Sequence, residues 1–185
     1  MLDIFEDMGV FLYPLIFCSL VGVFIIVERL VALRKAAITP ESLLKQIVAG
    51  ERVDGGQDSA LGRIVAYWHQ HEKDQSAVKA YARLEVNRME RGFVFLEIIV
   101  GAAPLLGLLG TVTGLVQVFG NVSTETGLPD PSAFTQGIAL ALGTTVMGLA
   151  VAIPCLIASG YLQRRVETFA VQLESLLEQM GLKDV

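Results

Sequence analysis

Two apolar stretches of this sequence carry threonines set among glycines. The first is GLLGTVTGLV, residues 107–116, and the second is GIALALGTTVMGLAVAIP, residues 137–154. A phosphate-binding loop needs a lysine after its glycines, and neither stretch contains one. Hydroxyls in such surroundings have two other uses. They bond to a carbonyl one helical turn back, which is a packing habit, or they line a wet interior where a polar group is needed.

The glycines of the first stretch recur at helical spacing. Gly107, Gly110 and Gly114 lie at i, i+3 and i+7 of one predicted helix. In a bilayer, small residues let helix backbones approach closely, because apolar burial no longer separates helix from lipid. The spacing leaves two alternatives open: packing of neighbouring helices within one chain, or a bundle of several chains.

The threonines fall on defined faces of the predicted helices. Thr111 shares a stripe with Gly107, whereas Thr113 falls nearly opposite, with Gly110. The second stretch carries Thr145 on a face of small residues. Two hydroxyls on small-residue faces of adjacent helices favour an interior, functional position over back-bonding alone.

The apolar stretches contain no Asp, Glu, Lys, Arg or His. Glu28 and Glu97 mark their edges, and no charged residue lies well inside. A proton relay needs a titratable group at depth. A proton path through this chain would therefore take its carboxylate from another protein, unless Glu97 lies deeper than its position in the sequence indicates.

The remaining side chains give no sign of catalysis or metal binding. His69 and His71 are two residues apart, which places them on roughly opposite sides of a helix, and no Cys or acidic cluster accompanies them. We find no Ser/His/Asp or Cys/His arrangement. We predict that the chain is not an enzyme and uses no metal and no cofactor.

Composition indicates a membrane protein. Hydrophobic residues make up 53% of the 185 residues, charged residues 18%, and the mean hydropathy is +0.57. The net charge of -5 argues against a nucleic-acid partner. Cys18 and Cys155 both lie in apolar runs, where we expect small buried side chains and no disulfide.

Three uncharged runs are long enough to cross a bilayer. They cover residues 8–27, 98–124 and 131–163, and a spanning helix needs roughly 20 apolar residues. The first run lacks the basic segment of a signal peptide and follows three acids, so we interpret it as a retained anchor. The bilayer is thus a predicted partner of the chain.

Charge sets the orientation. All 14 Lys and Arg residues lie in 28–97 or after residue 163, and none lies in 1–27 or 121–132. The positive-inside rule then places the N-terminus and the second connection outside and both basic regions in the cytoplasm.

We predict an all-α membrane protein with three transmembrane helices extended by long cytoplasmic helices. Its segments are an external N-terminus (1–7), transmembrane helix 1 (8–27), a cytoplasmic helical region (28–97), transmembrane helix 2 (98–120), an external loop (121–134), transmembrane helix 3 (135–160) and a cytoplasmic C-terminal helix (161–185).

Local signals divide the cytoplasmic region further. Thr39–Glu41 is typical of a helix start, and Asp58 or Ser59 is expected to cap a helix that runs through Trp68. A helix from Ser76 is expected to continue into transmembrane helix 2, with Gly92 as its one breaker. The amphipathic tail 167–180 is expected to extend transmembrane helix 3.

The segment APLLGLLGTVTGL, residues 103–115, followed by GIALALGTTVMGLAVAIP, closely resembles the MotA/TolQ/ExbB proton-channel family. The ERLVAL of residues 28–33, the three spans and the large cytoplasmic middle resemble its ExbB branch. The resemblance covers essentially the whole chain, and its specificity lies in the two late motifs.

The resemblance implies an ion-driven energiser in the bacterial inner membrane, with a periplasmic N-terminus and a cytoplasmic C-terminus. Such subunits form a homo-oligomeric ring, a pentamer in the known architecture, around single helices of a partner resembling ExbD or TolR. That partner carries a transmembrane aspartate, and the work reaches a periplasmic protein such as TonB.

The resemblance also implies roles for individual residues. The family's polar lining maps onto Thr111 and Thr145. The glycines allow close packing in the ring and the prolines bend the long helices; these packing and lining residues are Pro104, Gly107, Gly110, Gly114, Gly148 and Pro154.

One position departs from the family pattern. Many ExbB and TolQ chains carry a glutamate where this chain has Leu140. This bears on the identity of the ion, since sodium-driven relatives rely on threonine hydroxyls and Thr144 offers an additional oxygen beside Thr145. H⁺ is the leading expectation and Na⁺ the alternative. A TolQ-like or motility-stator role and a passive membrane scaffold are the competing functions.

Overall fold

Helices dominate the computed structural model of this chain. The structure describes residues 10–34, 38–40, 43, 45–46, 59–71, 74–120 and 131–179. The helices are α1 (Leu12–Ala32), α2 (Ala60–Gln70), α3 (Gln75–Met89), α4 (Phe93–Gly120) and α5 (Pro131–Gln179). No strand occurs in these ranges, and the predicted all-α class is confirmed.

Three helical segments each contain a stretch of at least 18 residues that is apolar enough to cross a membrane: Leu12–Ala32, Ser76–Gly120 and Phe134–Glu178. The three predicted transmembrane helices are therefore confirmed. Helix α5 begins at Pro131, inside the stretch predicted as the external loop. Proline suits the first position of a helix, because its fixed φ is already helical and no N–H is needed there.

The helix predicted to run from Ser76 into the second span is interrupted at residues 90–92, at the predicted breaker Gly92. Helix α3 ends at Met89, and helix α4 begins at Phe93 after a turn. Gly92 in this turn has a φ of 92°. That is the left-handed region, which commonly terminates helices and which residues with a Cβ avoid.

The chain divides into two compact units. We call Met1–Ile26 with Val94–Ser159 the apolar unit, and Val27–Phe93 with Gly160–Val185 the polar unit. Within the apolar unit, helix α1 makes a close approach at Gly22. A Cβ built there would lie 2.7 Å from the Sγ of Cys155 and 3.7 Å from the Cδ1 of Ile99. Cys155 is a free thiol, as is Cys18.

Helices α2 and α3 form a helical hairpin in the polar unit, and a capping side chain starts each of them. The Oγ of Ser59 accepts a hydrogen bond of 3.0 Å from the N–H of Gly62, which confirms Ser59 as the cap of α2. Asp74 Oδ1 accepts one of 3.0 Å from Ala77 at the start of α3. Most of the helix predicted to start at Thr39 lies outside the described residues.

A buried carboxylate joins the two helices of the hairpin. Glu85 of α3 is 1% exposed and pairs with Arg63 of α2 and with Arg88, each at 2.6 Å. Burial would raise the pKa of Glu85, but the hydrogen bond and positive charge of Arg63, together with Arg88, outweigh it and lower the pKa. The hydrogen bond to Glu85 in turn raises the pKa of Arg63.

The C-terminal part of α5 is amphipathic as predicted. Its buried side chains in the polar unit recur at helical spacing and include Leu162, Val166, Phe169, Leu173, Leu176 and Leu177. The helix runs without interruption to Gln179. The tail therefore continues the third span, and only the last residue of the predicted amphipathic stretch, Met180, lies outside the described residues.

Candidate functional site

Helices α4 and α5 of the apolar unit meet along small residues. A Cβ on Gly107 would lie 2.8 Å from the carbonyl oxygen of Thr144 and 3.3 Å from the Cα of Gly148. A Cβ on Gly148 would lie 2.5 Å from the carbonyl oxygen of Ala103. Because the opposing atoms are backbone, the two helices touch backbone to backbone, closer than larger residues permit.

The contact continues towards the end of α4. A Cβ on Gly110 would lie 2.6 Å from the Oγ1 of Thr144, and one on Gly114 would lie 2.9 Å from the Cβ of Ala141. We call this line of contacts between α4 and α5 the glycine seam. Of the two alternatives that the spacing left open, the structure shows packing within one chain.

Gly110 lies on a different face from the one we predicted. It is buried in the glycine seam, whereas Thr113 is half-buried and bonds only within its own helix. Three residues advance an α-helix by about 300°, so Gly110 lies only about 60° from Gly107. That angle places both glycines on the broad face that contacts α5.

A pair of hydroxyls crosses the seam. The Oγ1 atoms of Thr111 and Thr145 are 2.5 Å apart, and either can be the donor. This distance is at the short end of the range for O–H···O hydrogen bonds. Both side chains are half-buried, so the pair is partly accessible at the edge of the seam.

One carbonyl oxygen receives several of these hydroxyls. The oxygen of Gly107 accepts from Thr111 at 3.0 Å, from Thr144 at 3.0 Å and from Thr145 at 3.2 Å. A carbonyl has two lone pairs, and the helical N–H of residue i+4 already uses one. The three hydroxyls therefore compete for this oxygen and do not all donate to it at once.

The threonines differ in burial. Thr144 is 2% exposed, and its hydroxyl also has an acceptor in its own helix, the carbonyl oxygen of Ala141 at 2.7 Å. Thr113, by contrast, donates only to carbonyls of its own helix, at 2.9 and 3.1 Å. Back-bonding one turn away is thus present as expected. Thr111, Thr144 and Thr145 add bonds across the seam.

This arrangement can orient water or a hydrated ion but cannot hold a proton by itself. A hydroxyl donates one hydrogen bond and accepts others, so a chain of hydroxyls passes a proton along or contributes oxygen ligands to a hard cation. The sequence places no Asp, Glu, Lys, Arg or His in 98–124 or 131–163. A carboxylate or other charged group at this depth must come from outside these segments.

The other predicted site residues flank the seam. Pro104 lies inside α4 and is half-buried, and Pro154 lies inside α5 and is exposed. Each removes one helical N–H, which supports the prediction that both helices bend there. Leu140, the position of the departure from the family pattern, is half-buried.

Sequence reasoning missed two parts of the site. Ala103 completes the seam opposite Gly148, and its small side chain at helical spacing from Gly107 was a usable signal. The Gly107 carbonyl is the common acceptor of the cluster. No side-chain pattern reveals a backbone acceptor, because every residue has the same carbonyl group. Only the packing of the two helices distinguishes the carbonyl of Gly107.

The sequence also matches known proteins. Residues 56–175 match the sequence profile of the MotA/TolQ/ExbB proton channel family. That range contains the whole glycine seam and all four threonines described above.

Individual relatives carry transport names. The chain is 29% identical to the biopolymer transport protein exbB1 of Vibrio cholerae, over 96% of this chain and 85% of that protein. It is 38% identical to the biopolymer transport protein ExbB of Helicobacter pylori, over 48% of this chain and 61% of that protein. It is 35% identical to the biopolymer transport protein ExbB of Aquifex aeolicus, over 53% of this chain and 65% of that protein.

Proposed function

This chain belongs to the MotA/TolQ/ExbB proton channel family, and we propose that it is the ring-forming energiser subunit of an ion-driven transport system. Its three membrane-spanning helices and its ExbB-type relatives make it a multi-pass protein of the inner membrane. The hydroxyl cluster on the glycine seam is the observation that carries the proposal.

The ion passes the Thr111–Thr145 pair. These two side chains are the half-buried members of the cluster, and their hydroxyls lie 2.5 Å apart. Each can hand a proton to the other or turn an oxygen towards a cation. Thr144, which we expected to supply a further oxygen, supports this pair from its buried position.

The titratable group comes from a partner. Since the spans of this chain contain no charged residue at depth, the proposal requires a single-span protein, ExbD-like or TolR-like, whose helix carries an aspartate. That carboxylate takes up the ion beside Thr111 and Thr145, and its change of charge moves the partner helix.

Several copies of the chain enclose the partner helix. The glycine seam is used within one chain, which leaves the opposite face of α4 for contacts with lipid or with neighbouring copies. That face carries large apolar side chains, among them Leu105 (65% exposed), Leu108 (54%) and Val112 (51%). A pentameric ring, with N-termini in the periplasm and C-termini in the cytoplasm, is the assembly that we propose.

Movement of the partner is coupled to work at the outer membrane. In this proposal the aspartate partner transmits the motion to a TonB-like protein that spans the periplasm, and the work is uptake through outer-membrane transporters. The support is that the relatives are named as biopolymer transport proteins.

Ion uptake into liposomes tests the proposal. The chain is reconstituted together with its candidate aspartate partner, and uptake is followed under an imposed pH gradient and, separately, an imposed sodium gradient. We expect proton uptake that is abolished by Thr145→Val and by Asp→Asn in the partner. Leu140→Ala in the same helix is the matched control and is expected to retain uptake.

The outcomes separate the competing functions. Uptake of sodium and not of protons would identify a Na⁺-driven member of the family. Normal uptake in Thr145→Val would contradict the assignment of the site. Absence of uptake from a verified complex of both proteins would contradict the energiser and favour a membrane scaffold, whose threonines and glycines serve packing alone.

A further inference from the structure

We propose that Thr144 is a positioning residue for the ion site. By donating its hydroxyl to the Gly107 carbonyl, it leaves the hydroxyls of Thr111 and Thr145 free to bond to each other and to face the ion. This inference rests on the proposed function, because it concerns the pair that the ion is proposed to pass.

Three hydroxyl groups compete for one carbonyl oxygen. Gly107 O lies within 3.0 to 3.2 Å of three hydroxyl oxygens, more than its remaining lone pair serves. Thr111 and Thr145 have each other as alternative partners, at 2.5 Å. Only one hydroxyl of that pair donates to the other, so the second proton goes either to the Gly107 carbonyl or outward.

Thr144 is the member of the cluster whose place is fixed. It is 2% exposed, and it fills the space that Gly110 leaves by having no side chain, since a Cβ there would lie 2.6 Å from the Thr144 hydroxyl. Its one hydroxyl proton is shared between two acceptors, the carbonyl of Ala141 at 2.7 Å in its own helix and that of Gly107 at 3.0 Å across the seam. No path to solvent is needed for this role.

Occupation of the carbonyl decides where the other protons point. With Thr144 donating to Gly107, the second proton of the Thr111–Thr145 pair is directed outward, where an ion or a water meets it. Without that donor, the Gly107 carbonyl draws in one hydroxyl of the pair. The hydroxyl so engaged is lost to a proton relay, although the helices stay packed.

Three variants separate the hydroxyl from the shape of the side chain. Thr144→Val keeps the branched shape and removes the hydroxyl, and Thr144→Ser keeps the hydroxyl and removes a methyl group. Thr113→Val is the matched control, because it removes a threonine hydroxyl that bonds only within α4. Each variant is reconstituted with the aspartate partner for the liposome assay.

The experiment has two readouts. Ion uptake is expected to fall about tenfold in Thr144→Val, the scale of one lost hydrogen bond, to recover in Thr144→Ser and to be unchanged in Thr113→Val. In parallel, solid-state NMR with carbonyl-¹³C glycine and ¹⁵N leucine selects the five Gly–Leu peptide bonds of the chain, and the Gly107 signal is the one that the exposed Leu108→Ile removes. In Thr144→Val, a hydroxyl of the Thr111–Thr145 pair replaces the lost donor only in part. We therefore expect the Gly107 carbonyl resonance to shift upfield in Thr144→Val and to return in Thr144→Ser.

The results distinguish this inference from the proposed function. Normal uptake in both wild type and Thr144→Val would overturn the positioning role alone. So would loss of uptake in Thr144→Ser as complete as in Thr144→Val, because the shape and not the hydroxyl would then matter. Absence of uptake in wild type as well would overturn the proposed function, and this inference with it.

Discussion

The glycine seam predicts that a methyl group added at Gly148 pushes α4 and α5 apart. A Cβ there would lie 2.5 Å from the carbonyl oxygen of Ala103 and 3.1 Å from the Cα of Gly107. A carbon atom approaches a carbonyl oxygen no closer than about 3.3 Å. Gly148→Ala therefore requires a local displacement of about 0.8 Å, and because both opposing atoms are backbone, no side-chain rotation relieves it.

The displacement has a structural and a functional consequence. Overpacking of this kind costs up to about 3 kcal/mol, partly offset by about 1 kcal/mol from the better helix propensity of alanine. If the same displacement reaches the Thr111–Thr145 pair, their 2.5 Å separation opens to about 3.3 Å. That is beyond the length of an O–H···O hydrogen bond. We expect Gly148→Ala to lose about 2 kcal/mol of stability and to lose ion uptake.

Unfolding in mixed micelles, followed by circular dichroism during titration with a denaturing detergent, measures the loss of stability. Gly160→Ala is the matched control in the same helix, because nothing lies within 4 Å of a Cβ built there. Its expected effect is neutral or stabilising. If Gly148→Ala were as stable as Gly160→Ala, the backbone contact between α4 and α5 would be refuted.

Two further predictions concern other parts of the chain. The pKa of Glu85 is lowered in the folded state, so its stabilising effect is complete above the unfolded pKa of about 4.3 and is lost as the pH falls through the lower, folded value. Thermal unfolding from pH 7 to pH 3 should show Glu85→Gln destabilised at pH 7 by about 1–3 kcal/mol, with a stability that depends less on acid than that of wild type. The exposed Glu174→Gln is the control and should match wild type. If the stability of Glu85→Gln depended on acid as strongly as that of wild type, the assignment would be contradicted. Gly22→Ala should destabilise the chain because its Cβ would lie 2.7 Å from the Cys155 Sγ, and Cys155→Ala should rescue it in a double-mutant cycle; additive losses would show that the two residues do not touch.

The three spans were predictable because their physics is local. A run of roughly 20 apolar residues admits few structures in a bilayer, and helices satisfy their own backbone groups there. The cap at Ser59 was likewise visible as a residue type at a fixed place before an apolar repeat. Gly92 was noticed as a breaker, but its left-handed backbone depends on how the chain turns and not on glycine alone.

The site was predictable as a set of residues but not as an arrangement. Thr111 and Thr145 were identified on small-residue faces, and the structure brings their hydroxyls together. The depth of Thr144 depends on the fit between Gly110 and the opposite helix, which is a tertiary property. The Gly107 carbonyl gains its role only when α4 and α5 are packed, so no reading of one helix predicts it.

A double-mutant cycle of ion uptake tests the central claim most directly. Thr111→Val, Thr145→Val and the double variant are compared with wild type, each in liposomes with the aspartate partner. If the ion passes one hydroxyl pair, each single variant loses uptake and the double variant loses no more than the singles. Independent, additive losses, or normal uptake in either single variant, would contradict the account.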